Sequence, residues 1–278
     1  MKRIITLLLI LVAVQSGYST NWMTSFEDAQ KLALVQNKLI VVDFWATWCG
    51  PCKKMDVDAW NTEEVSKLIM DGFVPLKIDI DSETAFARRY GVNSIPNIFV
   101  IDPNGEIVAS DVGYKSKVNL IKYLKKYMLN TSFLNREMVS YFQNENFAST
   151  FRLAKKYMDY SLLVDDEVKN EFYTLADTYL NKSSKLVTNQ PKFEEKLALL
   201  EMTIDVYRGN HKRVSRKLSK TKEEDLDAIN KCDFYFLNYC ISRNDEDEDQ
   251  ALVWLDKLKQ TNNFEVYNSK INLVFNQS

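Results

Sequence analysis

Leu39-Ile40-Val41-Val42-Asp43-Phe44-Trp45-Ala46-Thr47-Trp48-Cys49-Gly50-Pro51-Cys52 is the stretch that decides the fold of this chain. From Leu39 to Trp45, β-branched and aromatic residues follow one another without polar alternation, which predicts a strand buried on both faces. The next residues turn the chain into a helix. Pro51 suits an early helical position, because its missing N–H would have no partner in the first turn. Cys49 therefore stands at a helix start, among unpaired N–H groups and at the positive end of the helix dipole, both of which stabilise a thiolate. It is the expected nucleophile. Cys52, one turn into the helix, is the better shielded sulfur and is placed to resolve a mixed disulfide by attacking Cys49. Asp43 lies inside the apolar strand, where loss of water raises its proton affinity and suits it to move a proton during thiol exchange. The competing reading places Asp43 at the surface of a strand end.

Outward from this stretch, short apolar runs alternate with amphipathic ones, the pattern of an α/β unit. Phe73–Ile80 reads as a second strand. Asn97–Ile101 and Glu106–Val112 flank Asp102-Pro103-Asn104-Gly105, a turn with proline to preset φ and glycine to supply positive φ, so these two form a hairpin. Helices are expected over 25–36, 51–70 with a break near Asn61, 82–89 and 116–128. Lys77 is one polar position in the second strand, and a side chain turned to solvent is its plain reading. Trp45 and Trp48 either cover the cysteine pair or fill core.

The motifs in this order resemble the thioredoxin family. The match starts with Val42-Asp43-Phe44-Trp45-Ala46-Thr47-Trp48-Cys49-Gly50-Pro51-Cys52-Lys53 and continues through Lys77-Ile78-Asp79-Ile80-Asp81. It then takes in Tyr90-Gly91-Val92 and Ser94-Ile95-Pro96, and ends at Gly113. The resemblance implies an α/β thioredoxin fold, a central mixed sheet flanked by helices. It also implies a cis peptide at Pro96 facing the cysteines, with Ile95 and Pro96 holding an extended substrate segment by backbone pairing. It makes Asp43 the buried carboxylate behind Cys52 and Lys77 its ionic neighbour, with Trp48, Gly50 and Pro51 as active-site support. One departure stands out: Lys53 to Val65 lacks the proline that usually kinks the family's long active-site helix. In this the segment is similar to thiol-disulfide interchange domains of the bacterial cell envelope, which favours a reductase or electron relay.

The remaining sequence sets the frame. Lys2 and Arg3, a predominantly apolar run from Ile4 to Val14 and small residues around Ser16 to Ser19 have the order of a secretory signal peptide. The run is too short for a permanent span of roughly 20 residues, so the expectation is cleavage, export to a periplasmic or cell-envelope location, and no stable membrane span afterwards. A formal charge of −2 exerts no global pull on nucleic acid. After Met128, Gly209 and Pro191 are the only glycine and proline, and apolar positions recur at helical spacing, as in Phe172, Leu175, Ala176, Tyr179 and Leu180. The expected partition is a signal peptide at 1–19, a thioredoxin-like domain at 20–129 and an all-α region of helical hairpins at 130–278, in the manner of a solenoid or tetratricopeptide array. A closed zinc site needs four ligands, and only the distant Cys232, Cys240 and His211 remain. No metal is therefore expected, nor any cofactor beyond the Cys49–Cys52 disulfide. Cys232 and Cys240, about 12 Å apart along a helix, are expected as buried core residues. The function that follows is reduction of, or electron relay to, protein disulfides, with an upstream thiol donor. The alternatives are a disulfide oxidase or isomerase, or a client-binding protein that recruits through its helices and uses the thioredoxin-like part as a platform.

Overall fold

The computed structural model describes residues 20–275, so the expected leader at 1–19 lies outside the described residues. The first half is built from α1 (Phe26–Gln36), β1 (Leu39–Trp45), α2 (Gly50–Met55), a π-helical turn (Asp56–Trp60), α3 (Glu63–Gly72), β2 (Phe73–Asp79), α4 (Thr84–Arg89), β3 (Asn97–Ile101), β4 (Ile107–Val112) and α5 (Lys117–Tyr127). Ser25 caps α1 by accepting from the Asp28 N–H at 3.2 Å, and Asn37 ends it in the left-handed region. The strands form one mixed sheet in the order β2-β1-β3-β4, with β1 parallel to β2 and the other pairs antiparallel. The break expected near Asn61 is present: the π-helical turn widens α2, and Thr62 starts α3 afresh.

Side chains alternate across the sheet. On one face Ile40, Val42, Phe44, Leu76, Ile78 and Phe99 pack under α1 and α4. On the other, Leu39, Val41, Phe73, Ile98 and Val100 pack against Met55, Ala59, Trp60, Val65, Ile69, Leu120 and Leu124 of the active-site helix, α3 and α5. Asp43 shares this second face, two residues beyond Val41, and its register partners are Lys77 on β2 and Ile98 on β3.

The second half is helical: α6 (Asn135–Gln143), α7 (Phe147–Ser161), α8 (Asp166–Leu186), α9 (Pro191–Tyr207), α10 (His211–Leu218), α11 (Lys231–Asn244), α12 (Glu248–Lys259) and α13 (Phe264–Phe275), with short 3-10 turns at Glu223–Asp225 and Ala228–Asn230. That makes thirteen α-helices among the described residues. None of the described helices is long and apolar enough to cross a membrane. The core of the α2 face runs on without a break into Leu134, Met138, Tyr157, Phe172, Tyr179 and Ile204. A second core forms beyond it, from Leu199 and Val206 through Phe236 and Cys240 to Ile271. Cys240 is fully buried and burial pushes its thiol far up, but Cys232 is only half-buried, against the expectation that both would be core. Cys232 packs only at the edge of the second core, where its Sγ accepts from Asn263 Nδ2 at 3.8 Å.

Candidate active site

β1 ends at Trp45, and Ala46 to Trp48 lead into α2. Cys49 is the N-cap of that helix, with extended backbone at φ −76° and ψ 101°, and its Sγ accepts the Cys52 backbone N–H at 3.1 Å. The helix start therefore presents a donor to the sulfur that the sequence marks as the nucleophile. Cys49 and Cys52 are joined by a disulfide with Cα atoms 5.3 Å apart. Both are almost wholly covered, at 3% and 2% exposure. The expected difference in shielding is thus slight, and the asymmetry between them lies in their positions on the helix. Ala46, Trp45, Ile80 and Ile95 pack around the pair.

The Ile95–Pro96 peptide is cis. Pro96 is buried, and its carbonyl accepts from the Gly113 N–H at 2.8 Å, which ties the proline loop to the end of β4. Gly113 has φ +97°, a conformation that glycine adopts without a Cβ penalty. A Cβ added at Gly50 would meet nothing within 4 Å, so the space beside that residue is open.

Lys77 does not point to solvent. Its Nζ lies 3.3 Å from Asp43 Oδ2, and its side chain is 15% exposed. It also pairs with Asp56 Oδ1 and sits under the rings of Trp45 and Trp22, at 5.1 and 5.5 Å from their centres. Asp43 is buried, with Oδ1 lacking a hydrogen-bond partner. Burial pushes its carboxyl up to about 6, against the pull of Lys77. Trp45 thus both lines the cysteine pair and covers Lys77. Trp48 lies at the surface, 66% exposed, with its Nε1–H donating to Asp81 Oδ2 at 2.8 Å.

Four site neighbours escape a reading by motif. Trp22 and Asp56 meet Lys77 only through folding, and Tyr114 donates to Asp58 at 3.1 Å across 56 residues of sequence. Asp56 carried one available signal, a carboxylate one turn past Cys52 where the helix was expected to break. No group of three or more His, Cys, Asp or Glu is placed to hold a metal among the described residues.

The thioredoxin family profile matches residues 22–126. Thioredoxin of Bacillus subtilis is 39% identical over 90 residues, which are 32% of this chain and 83% of that protein. The chain belongs to the thioredoxin family. Thioredoxin of Staphylococcus aureus is 38% identical over 101 residues, covering 36% of this chain and 93% of its own length. A thioredoxin structure from Nicotiana alata aligns at 35% identity and a TM-score of 0.29, over 37% of this chain and 80% of the other. As a member of that family, the chain is a thiol-disulfide oxidoreductase whose redox group is its own disulfide, acting with protein disulfides and a reductant.

Proposed function

We propose that this chain is an exported protein-disulfide reductase, or an electron relay to one, acting through Cys49 and Cys52. The observation that carries the reading is the Cys49–Cys52 disulfide at the N-cap of α2, over the sheet face that holds the buried Asp43. In the reduced protein, the Cys49 thiolate attacks one sulfur of a client disulfide. A mixed disulfide forms, and the other client sulfur leaves as a thiolate that takes a proton from water. Asp43, ionised at neutral pH with a carboxyl at about 6, removes the Cys52 proton. Cys52 then attacks Cys49 Sγ, closes the internal disulfide and expels the second client thiolate, which takes up the proton held by Asp43. The client gains two electrons and two protons, and an upstream dithiol restores them to the pair. Ile95 and Pro96 hold the client's extended backbone beside the cysteines, while the exposed Trp48 and the open Gly50 form the contact rim.

Export rests on Lys2, Arg3 and the apolar run to Val14. It predicts a mature envelope protein beginning near residues 16–20, checked by N-terminal sequencing. Turnover of insulin disulfides with a dithiol donor is expected for wild type and lost in Cys49→Ser. Equal turnover in the variant would end the reading. The Cys49–Cys52 couple is expected near the reducing end, about −270 mV, and a value near −120 mV would make the chain an oxidant instead. Client recruitment by the helical region is favoured by one feature. A cleft of about 360 Å³ is lined by Asp111, Tyr114, Lys122, Tyr123 and Lys126 together with Glu167 of α8.

A further inference from the structure

The dithiol reaction proposed above leaves Asp56 without a task, yet its placement is specific. It follows Met55 where α2 widens into the π-helical turn, an insertion that re-aims side chains. Lys77 is held between two carboxylates of unequal depth. Asp43 is 3% exposed on the inner side and Asp56 is 24% exposed on the outer side. Trp22 and Trp45 flank the same ammonium, which leaves it little freedom to turn toward one carboxylate alone.

We propose that Asp56 is a positioning residue for the Cys49–Cys52 reaction: by sharing Lys77 with Asp43, it keeps the inner carboxylate avid for the Cys52 proton. This rests on Asp43 serving as the base in the dithiol reaction. An ammonium 3.3 Å away on its own would hold Asp43 ionised and weakly basic. Paired with Asp56, its charge is largely offset, and burial governs the inner group. The push on Asp43 to about 6 comes first from burial, with Lys77 opposing and Asp56 adding to it. The charged groups acting on Asp43 are Lys77 from β2 and Asp56 from the turn after α2. Ile98 on β3 and the oxidised cysteine pair on α2 bring no charge.

The test is a carbon-13 titration of the Asp43 carboxyl in the oxidised, full-length protein, as wild type, Asp56→Asn and Asp56→Glu. The midpoint is expected to fall by about half a pH unit or more in Asp56→Asn and to return toward the wild-type value in Asp56→Glu. The acid limb of the reduction rate should move down by the same amount. An unchanged or higher midpoint in Asp56→Asn overturns the proposal, and Asp56→Ser is read in the same way if the Asn protein does not fold. The titration needs no turnover. A fall in a protein without Cys49-dependent reduction sustains the electrostatic role and removes the proposed function. An unchanged midpoint in an active enzyme does the reverse.

Discussion

Asp102 is a second carboxylate that burial pushes up to about 6, at a place unconnected with the cysteines. It opens the β3–β4 turn, where Oδ1 accepts the backbone N–H groups of Asn104 and Glu106 at 2.9 and 2.8 Å, the short-range bonding that makes aspartate a turn residue. Its Oδ2 accepts the hydroxyls of Tyr157 from α7 and Tyr179 from α8, at 2.8 and 2.6 Å. Because the folded group binds its proton more tightly than a free carboxylate, the stabilisation it brings is complete below about pH 4. It is lost as pH rises through about 6, an effect on the order of 3 kcal/mol. Asp102→Asn should remove that dependence, since both tyrosine hydroxyls can reverse and accept from the new amide. The stability difference between wild type and this variant, measured by urea unfolding, should therefore change by about 3 kcal/mol between pH 4 and pH 7. A constant difference would show that Asp102 is ionised throughout. Asp102→Ala should cost at least about 3 kcal/mol at either pH, because it leaves three buried donors and one half-buried donor without an acceptor.

Among the elements, the π-helical turn has the clearest consequence. It buries Trp60 at 1% exposure, edge-on to Trp22 with ring centres 5.0 Å apart. Trp60→Ala should lower stability by about 3–5 kcal/mol, read as a fall in denaturant midpoint with unchanged slope. A loss under about 1 kcal/mol would mean that the turn repacks around the gap. This region also marks the boundary of what the sequence could reveal. The strands were legible because Leu39–Trp45 and Phe73–Asp79 are predominantly apolar runs rich in β-branched and aromatic residues, and the hairpin because Asp102-Pro103-Asn104-Gly105 has turn chemistry. Gly105 confirms that last point at φ +90°, where an added Cβ would come within 2.9 Å of the Phe26 ring. The break near Asn61 was legible too, but its π-helical form was not, since one extra residue per turn leaves no mark in composition. The Cys49–Cys52 pair and cis-Pro96 could be read because motif neighbours surround them. The placement of Lys77 between Asp43 and Asp56 could not, because it depends on the register of β1 with β2 and on the direction in which the widened helix points.

At the scale of the molecule, the helical half docks where it leaves the redox end clear. β1 runs toward Cys49 and β3 runs back, with Ile101 opposite Ile40, so the Asp102 turn lies at the far pole of the sheet from the disulfide. Besides the two tyrosines on Asp102, Lys182 of α8 reaches Glu106 at 2.7 Å, and Asn135 of α6 donates to the Leu34 carbonyl at 2.6 Å. The apolar core is continuous through the same junction, from Val41 and Val100 to Tyr157 and Phe172. A chain cut after Leu129 would therefore expose Leu124, Tyr127 and one side of the sheet hairpin, and would strip Asp102 of two hydrogen bonds worth about 1.5–3 kcal/mol each. The fragment 20–129 is expected to unfold at a clearly lower urea concentration than 20–278. In the full chain, Trp22 and Trp60 fluorescence should report the same transition as the helical circular dichroism of α7 and α8, because units that share one core unfold together. Equal midpoints for fragment and full chain would show that the helices rest on the thioredoxin unit without stabilising it. The redox end would then owe nothing to the half of the protein that sets this chain apart from its shorter relatives.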